Sequence, residues 1–337
     1  MNAAPLLDVR DLRVELPLSR GTVHAVEGAS LTVGPGEAFG LVGESGCGKS
    51  MTLRAIMGLL PRPGHIVGGE VLFEGEDLVT ASPRRLRDVR GGSIAMIFQE
   101  PMTALNPVMR VGDQIAEAPQ VHLGLSRTGA RERALDLMRR VGIPDPVRRS
   151  RAYPHELSGG LRQRIMIAIA LSCDPKLILC DEPTTALDVT IQDQILKLLL
   201  NLRREFGVSV VFVTHDLAVV AETCERLAVM YAGQIVETGT VDEVFRAPRH
   251  PYTLGLLRSV PDFDSVQDSL SAIQGAPPDL VLPPPGCRFH PRCPFAQEDC
   301  ISGEFPLRPL SAGRATACIH SDACAADVAR SPVVADV

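Results

Sequence analysis

The chain has 337 residues, and its 34 basic and 40 acidic side chains give a formal net charge of −6. An apolar fraction of 45% with 22% charged residues excludes a largely disordered chain, and the acidic balance argues against direct binding of nucleic acid. The most apolar run, residues 165–171, is too short to span a membrane, and the N-terminus has no signal-peptide pattern.

Strand and helix patterns alternate along the first part of the chain. Residues 8–16 alternate with period two, as in an edge strand, and residues 38–42 read as a buried strand. A glycine-rich loop and a helical pattern over residues 50–60 follow, and this helix is expected to stop near Pro61. Residues 93–98 form another short apolar strand.

From residue 101 to about 164 the pattern becomes helical, which predicts a helical insertion subdomain that includes a helix over residues 131–141. The alternation then resumes with a strand at 177–181, a helix at 191–206, a strand at 208–214 and strand-like pieces at 227–231 and 234–237. Strands that alternate with helices predict an α/β fold with a mainly parallel sheet.

Proline, glycine and cysteine become frequent after residue 247. A segment of this kind is rich in loops and cannot carry a large core of its own. The sequence therefore predicts one domain over residues 1–247 and a small cysteine-containing extension over residues 248–337.

The sequence Gly43-Glu44-Ser45-Gly46-Cys47-Gly48-Lys49-Ser50 fits the phosphate-loop pattern G-x-x-x-x-G-K-[ST]. The strand before it and the helix after it favour this interpretation over a chance glycine-rich turn. Backbone N–H groups of such a loop surround phosphates, Lys49 neutralises their charge, and Ser50 can ligate Mg²⁺. The predicted ATP-binding residues are Gly43, Ser45, Gly46, Cys47, Gly48, Lys49, Ser50 and Met51.

The strand at 177–181 ends in two adjacent carboxylates, Asp181 and Glu182. Taken alone, this pair could be a solvated strand end. Together with a phosphate loop upstream, it predicts that Asp181 holds Mg²⁺ and that Glu182 polarises the attacking water as a general base.

The stretch Leu157-Ser158-Gly159-Gly160-Leu161-Arg162-Gln163, shortly before this strand, resembles the signature of ABC ATPases. The resemblance extends over roughly residues 6–245. It implies a P-loop ABC ATPase core in which the signature contacts the γ-phosphate of an ATP bound by a partner subunit. The signature residues concerned are Ser158, Gly159, Gly160 and Gln163.

Three further elements fit the same resemblance. Gln99 is similar to the Q-loop glutamine, which would ligate Mg²⁺ and link hydrolysis to the membrane subunits. Ala186-Leu187-Asp188 resembles the D-loop, in which Asp188 is the acidic residue. His215 resembles the switch histidine that touches the γ-phosphate. In this family an aromatic side chain usually stacks on adenine, but Leu16 stands at that position here, with His24 nearby as a substitute.

Residues 98–107, 153–157, 181–190 and 250–253 resemble the oligopeptide and dipeptide importer branch of the ABC family. This resemblance implies an ATP-hydrolysing subunit that powers import of dipeptides or oligopeptides when two nucleotide-binding domains close on ATP. It implies three kinds of partner: a second ABC ATPase, two transmembrane permeases and an extracellular substrate-binding protein. It also implies a peripheral position on the cytoplasmic face of the membrane.

Nine cysteines are present, and four of them follow the spacing Cys287-x5-Cys293-x6-Cys300-x17-Cys318. Without an export signal a reducing compartment is expected, so disulfides are disfavoured. Four thiolates suit an iron–sulfur cluster or a structural zinc ion, and no tight paired spacing typical of zinc occurs. The resemblance to peptide-importer ATPases implies a 4Fe–4S cluster. Zinc, free thiols in a loose tail, and substitution of a ligand by His290 or His320 remain alternatives.

Two other hypotheses remain at this point. A soluble, non-transport ABC ATPase would act on DNA, ribosomes or iron–sulfur assembly, but such proteins often carry two ATPase units or long coiled coils, and this sequence has one unit and no long heptad run. A further hypothesis, compatible with the transport function, is that the four cysteines make the ATPase redox-regulated.

Overall fold

The structure is a computed structural model that describes residues 4–185, 188–259 and 273–330. Each predicted strand is present, and its first residue lies within two residues of the predicted one. Strands β3 and β7 have the predicted bounds. In chain order they are β1 (Leu7–Leu18), β2 (Gly21–Val33), β3 (Ala38–Val42), β4 (His65–Phe73), β5 (Glu76–Asp77), β6 (Ile94–Ile97), β7 (Leu177–Asp181), β8 (Ser209–Thr214), β9 (Arg226–Tyr231), β10 (Gln234–Thr240), β11 (Arg308–Ser311) and β12 (Arg314–Thr316).

Four helices, α3 to α6, occur between residues 101 and 149, where the sequence predicts a helical insertion subdomain. The full set within the described ranges is α1 (Lys49–Ile56), α2 (Pro83–Val89), α3 (Pro101–Ala104), α4 (Val111–His122), α5 (Arg127–Arg140), α6 (Pro146–Arg149), α7 (Gly159–Ala170), α8 (Val189–Phe206), α9 (Leu217–Thr223), α10 (Val241–Arg246), α11 (Pro251–Arg258) and α12 (Ser321–Arg330). Short 3₁₀ turns occur at Pro154–Glu156, His290–Arg292 and Glu298–Cys300.

Helix α1 ends earlier than predicted, at Ile56 rather than near Pro61. Gly58 takes a left-handed φ of 60°, and the N–H of the next residue, Leu59, donates to the carbonyl oxygen of Arg54 at 2.7 Å. This is a glycine C-terminal stop, in which the left-handed residue turns the chain away from the helix axis. The prediction was wrong because the proline was taken as the stop signal.

The first of two compact units comprises Met1–Leu6, Val33–Ala38 and Thr80–Val213. Its strands β6, β7 and β8 are parallel, with Ile94 opposite Leu177 and Leu177 opposite Ser209. All residues of β7 and β8 are buried, as expected for strands covered on both faces. The helices α2 to α8 belong to this unit.

The second unit comprises Leu7–Thr32, Phe39–Val79 and Thr214–Val337. One of its sheets is antiparallel, in the order β2-β1-β4-β5, and the sequence did not predict it. In its other strands β3 runs parallel to β9, while β10 pairs antiparallel with β9 and also with β12 of the C-terminal hairpin. The predicted parallel pairing is thus confirmed for β3, β6, β7, β8 and β9, and an antiparallel part is added to it.

Residues beyond 247 contribute to the core of the second unit. The ring of Phe289 packs edge-on against Tyr231 at 5.2 Å and against Tyr252 at 5.4 Å between ring centroids. A smaller cluster joins Leu254 of α11 to Val328 of α12. The extension therefore has almost no separate core and packs on that of its unit, and the domain boundary at 247 stays a prediction.

A buried carboxylate links β10 to the start of this extension. Glu237 has no exposed surface, and its two oxygens accept the backbone N–H groups of Arg249 at 2.8 Å and His250 at 2.9 Å. Arg314 of β12 places Nη2 3.6 Å from the same carboxylate. Burial raises the pKa of Glu237 to about 7, although both N–H donors act in the opposite direction.

Candidate functional site

The phosphate loop, residues 43–50, connects β3 to α1 in the second unit. Gly43 and Gly48 have φ values of 153° and 108°. A Cβ atom at Gly43 would lie 2.1 Å from the carbonyl oxygen of Met230, and one at Gly48 would lie 2.3 Å from that of Ala25. Only glycine can occupy either position, because these approaches exclude any side chain.

Lys49 lies inside this loop. It is 4% exposed, and Nζ donates to the carbonyl oxygens of Gly43 at 2.7 Å and Glu44 at 2.9 Å. The tip of the loop, Ser45 and Gly46, is exposed to solvent. An ammonium group held beside an open loop at the start of a helix is placed to neutralise a phosphate.

The remaining predicted ATP-binding residues lie in the same loop and first turn. Cys47 is buried, whereas Ser50 and Met51 are half-buried. Burial raises the pKa of the Cys47 thiol, which keeps it neutral and adds no negative charge where phosphates would bind.

His215 occupies the turn after β8 and is exposed. Side chains on both sides fix that turn: Thr214 Oγ1 accepts the N–H of Asp216 at 3.0 Å, and Asp216 Oδ1 accepts the N–H of Ala218 at 2.9 Å. The backbone around the predicted switch histidine is therefore well defined.

The two candidate adenine contacts lie on β1 and β2. Leu16 is half-buried. The Nδ1 atom of His24 lies 3.2 Å from a carboxylate oxygen of Glu15 and 3.5 Å from one of Glu27. Two carboxylates therefore orient the imidazole.

The acidic residues that follow β7 lie in the first unit. Asp181 is 2% exposed, and Glu182 has a left-handed φ of 46°, which is uncommon for a residue with a side chain and typical of functional turns. The Oε2 atom of Glu182 accepts hydrogen bonds from Gln99 Nε2 at 3.1 Å and Thr185 Oγ1 at 2.9 Å. The structure thus brings together the predicted Q-loop glutamine and the predicted base.

The signature residues lie at the start of α7 in the same unit. Ser158 and Gly159 are exposed, so the first N–H groups of this helix face solvent. Gln163 is buried, and within the described ranges its Nε2 atom has no hydrogen-bond partner. Asp188 is the exposed residue that precedes α8, while Ala186 and Leu187 of the D-loop lie outside the described residues.

The four predicted cluster cysteines converge in the second unit. Cys287, Cys293, Cys300 and Cys318 all line one apolar cavity. The ring of His290 and that of His320 line it too, together with Phe289, Phe295 and Phe305. All nine cysteines of the chain are free thiols, so no disulfide competes for these four.

The cavity favours neutral thiols. Burial raises the pKa of Cys293 to about 12 and that of Cys318 to about 11, and the neighbouring thiols add to both effects. Four thiolates crowded in an apolar cavity repel one another, so a cationic centre is needed to deprotonate them. His320 Nε2 lies 2.8 Å from Asp299 Oδ1, and both ligand atoms are within 4.8 Å of Cys300 Sγ, which offers a second possible ligand group.

Sequence analysis assigned no role to three residues that contact predicted site residues. Thr185 bonds to Glu182, Tyr252 Oη accepts the N–H of Glu44 at 2.8 Å, and Arg292 pairs with the Glu44 carboxylate. The only signal was indirect, because Thr185 and Tyr252 fall in stretches that carried the family resemblance.

A family model described as "ABC transporter" matches residues 26–185, and one described as "Oligopeptide/dipeptide transporter, C-terminal region" matches residues 236–300. The oligopeptide transport ATP-binding protein OppD of Bacillus subtilis is 51% identical over 308 residues, which cover 91% of this chain and 86% of that protein. This chain belongs to the ATP-binding proteins of the ABC transporter family. The dipeptide transport ATP-binding protein DppD of Escherichia coli is 48% identical over 313 residues, which cover 93% of this chain and 96% of that protein.

Among solved structures, this ABC protein is similar to a dimeric ATP-binding cassette in a post-hydrolysis state with bound ADP and Pi. The TM-score is 0.63 at 28% identity, and the match covers 70% of this chain and 98% of the other. The predicted α/β ABC ATPase fold and the predicted ATPase class are confirmed. Within the described residues, no helix of this ABC protein has both the length and the apolarity needed to cross a membrane.

Proposed function

We propose that this ABC ATPase powers the import of dipeptides or oligopeptides. The observation that carries the proposal is the match of the C-terminal region to the oligopeptide/dipeptide transporter family, together with relatives named for peptide transport at about 50% identity over nine-tenths of the chain. A soluble, non-transport ABC ATPase has no such support, since the relatives are named as transport proteins.

ATP is proposed to bind at the phosphate loop and the first turn of α1. Lys49 neutralises phosphate charge, and the backbone N–H groups from Gly46 to Met51 surround the phosphates. The exposed His215 in its fixed turn supplies a contact to the terminal phosphate. The adenine contact is assigned to the apolar side chain of Leu16, since two carboxylates orient the ring of His24.

Mg²⁺ is proposed to be ligated by oxygen atoms of three predicted residues: the Ser50 hydroxyl, the Asp181 carboxylate and the Gln99 amide oxygen. The Gln99 nitrogen donates to Glu182. When bound, Mg²⁺ neutralises charge on the transferred phosphoryl group. Glu182, oriented by Gln99 and Thr185, takes a proton from the attacking water.

The exposed start of α7 and the exposed Asp188 are proposed to face ATP bound by a second ABC ATPase. Two such chains would close on ATP and drive two transmembrane permeases between alternate states. An extracellular binding protein would deliver the peptide. The chain would then be peripheral, on the cytoplasmic face of the membrane.

This function is tested by capturing the tagged chain from native membranes in mild detergent and identifying the proteins that co-purify. We expect two multi-span permeases and a second ABC ATPase, and peptide-dependent ATP hydrolysis after the complex is reconstituted with its binding protein. Recovery with DNA or ribosomal proteins and without permeases would favour the soluble ABC ATPase instead.

We further propose that the four-cysteine cavity holds a 4Fe–4S cluster as a structural staple. The convergence of Cys287, Cys293, Cys300 and Cys318 on one apolar cavity supports it, because iron–sulfur clusters are held by four thiolates. The cluster would supply the positive charge that deprotonates the thiols. Zinc is the second candidate for the same donor set.

Anaerobic purification tests the cluster. We expect about four iron atoms and four acid-labile sulfides per chain, since that is the composition of the cluster, and visible absorption that dithionite bleaches. Cys293→Ser should lose most of the iron, whereas Cys224→Ser, whose half-buried thiol lies outside the cavity, should keep it. One equivalent of zinc without iron would overturn the iron–sulfur assignment and favour the zinc alternative.

A further inference from the structure

The C-terminal region holds the side chain of the second residue of the phosphate loop. Arg292 donates from Nη1 to Glu44 Oε2 at 2.7 Å and from Nη2 to Glu44 Oε1 at 3.0 Å. The Arg292 side chain is only 5% exposed. This is a bidentate, charge-assisted pair between residues 248 positions apart in the chain.

The guanidinium cannot easily turn away from Glu44, because its other donors are also used. Its Nε donates to the carbonyl oxygen of Gln274 at 3.0 Å, and its Nη1 lies 3.4 Å from the hydroxyl of Tyr231. The guanidinium carbon lies 5.8 Å from the ring centroid of Tyr231 and 6.0 Å from that of Phe289. An arginine guanidinium stays charged at neutral pH, so this pair is an ion pair.

A second arginine next to a cluster cysteine reaches the backbone that supports the loop. Arg288 donates a hydrogen bond to the carbonyl oxygen of Ala232. The next residue, Gly233, donates its N–H to the carbonyl oxygen of Cys47 at 2.8 Å. Arg288 directly follows Cys287, and Arg292 directly precedes Cys293. The segment that carries two of the cavity cysteines therefore also carries both arginines that contact the phosphate loop or the backbone beside it.

The Arg292 contact also neutralises charge in the phosphate loop. Glu44 carries a carboxylate within the loop that receives a highly negative polyphosphate, and an unpaired carboxylate there would repel the ligand. Arg292 cancels that charge and holds the carboxylate in a bidentate pair with the C-terminal region. A lysine could supply the charge but not the bidentate geometry.

We propose that Arg292 is a positioning residue for the nucleotide: by neutralising and holding Glu44, it maintains the affinity of the phosphate loop for ATP. The inference rests on the proposed binding of ATP at this loop. It makes the C-terminal extension a part of the nucleotide site rather than an appendage.

The test measures equilibrium binding of a fluorescent ADP analogue with Mg²⁺ to the purified full chain, and kcat and KM for ATP. Arg292→Ala should raise the dissociation constant and KM by roughly 10-fold with little change in kcat, and Arg292→Lys should fall between it and the wild type. Glu44→Gln, which removes the charge, should stay within about threefold of the wild type.

The deciding variant is the double substitution Arg292→Ala with Glu44→Gln. If Arg292 acts by cancelling the Glu44 charge, the double variant should regain most of the affinity lost in Arg292→Ala. A purely structural arginine would give no such rescue, and that result would overturn the proposal. If Arg292→Ala does not fold, Arg292→Lys with and without Glu44→Gln gives the same comparison.

Lys49→Ala separates this inference from the assignment of the ATP site. Its expected result is loss of nucleotide binding. Unchanged binding in Lys49→Ala would remove the ATP site itself. Loss of binding in Lys49→Ala with normal binding in Arg292→Ala would reject the inference alone. Iron content, measured in every variant, shows whether the cysteine cavity has been disturbed.

Discussion

Glu182→Gln should reduce kcat for ATP hydrolysis by roughly 10²–10⁴-fold, the range for loss of a general base, while ATP still binds. Glutamine has nearly the shape of glutamate, and its amide oxygen can still accept from Gln99 and Thr185, which bond to Glu182 at 3.1 and 2.9 Å. It cannot accept a proton from water at neutral pH. The variant should therefore trap an ATP-bound state, measurable as retained nucleotide with no phosphate release.

Asp193→Asn is the matched control for this experiment. Asp193 is an exposed carboxylate of α8 in the same unit, paired with Lys197 at 2.8 Å, and the substitution removes one charge as Glu182→Gln does. We expect its rate to equal that of the wild type. A Glu182→Gln protein that hydrolyses ATP within about tenfold of the wild type would remove Glu182 as the base.

The stability of the Glu237→Gln variant relative to the wild type should increase as pH rises. The native pKa of Glu237 is about 7 because of burial, against 4.5 for an ordinary glutamate. Between these values the native state holds a proton that the unfolded state has released, so wild-type stability falls as pH rises through this window and is constant above it. The wild type should therefore lose about 3 kcal/mol relative to Glu237→Gln between pH 4.5 and pH 8.

Denaturant unfolding of both proteins across this pH range measures the difference. His250 contributes with the opposite sign, because burial lowers its pKa to about 3, but it is present in both proteins and cancels in the comparison. Glu70→Gln, on the exposed face of β4, is the surface control. A pH-independent difference would mean that the N–H groups of Arg249 and His250, with Arg314, keep Glu237 ionised throughout.

The parts of the fold that sequence could predict are those set by local pattern. Strands β3 and β7 are continuous apolar runs followed by a glycine-rich loop and by two carboxylates, and their predicted bounds match the structure. Strand β4 was missed because it contains Gly68 and Gly69 and only two of its nine residues are buried. Its pairing with β1, for example Leu7 with Phe73, depends on a partner far away in the sequence.

In the candidate site, too, the features set by local sequence could be predicted and the contacts between distant residues could not. The phosphate loop and the acidic end of β7 follow from spacing, since each is a contiguous motif. The contact of Gln99 with Glu182 joins residues 83 positions apart, and only resemblance to a family pointed to it. The sequence did not predict the pair of Arg292 with Glu44. A glutamate in a loop and an arginine between cysteines are both common, and neither pattern indicates a contact with the other.

The pairing of β12 with β10 has a practical consequence for dividing the chain. Thr316 lies opposite Glu237 and Ala315 opposite Thr238, so the last hairpin covers one side of β10. A chain cut at residue 247 would leave β10 as an unprotected sheet edge with open N–H and C=O groups. Edges of this kind recruit strands from other molecules and promote aggregation. By pairing with β10, the extension thus also protects this strand from pairing with another molecule.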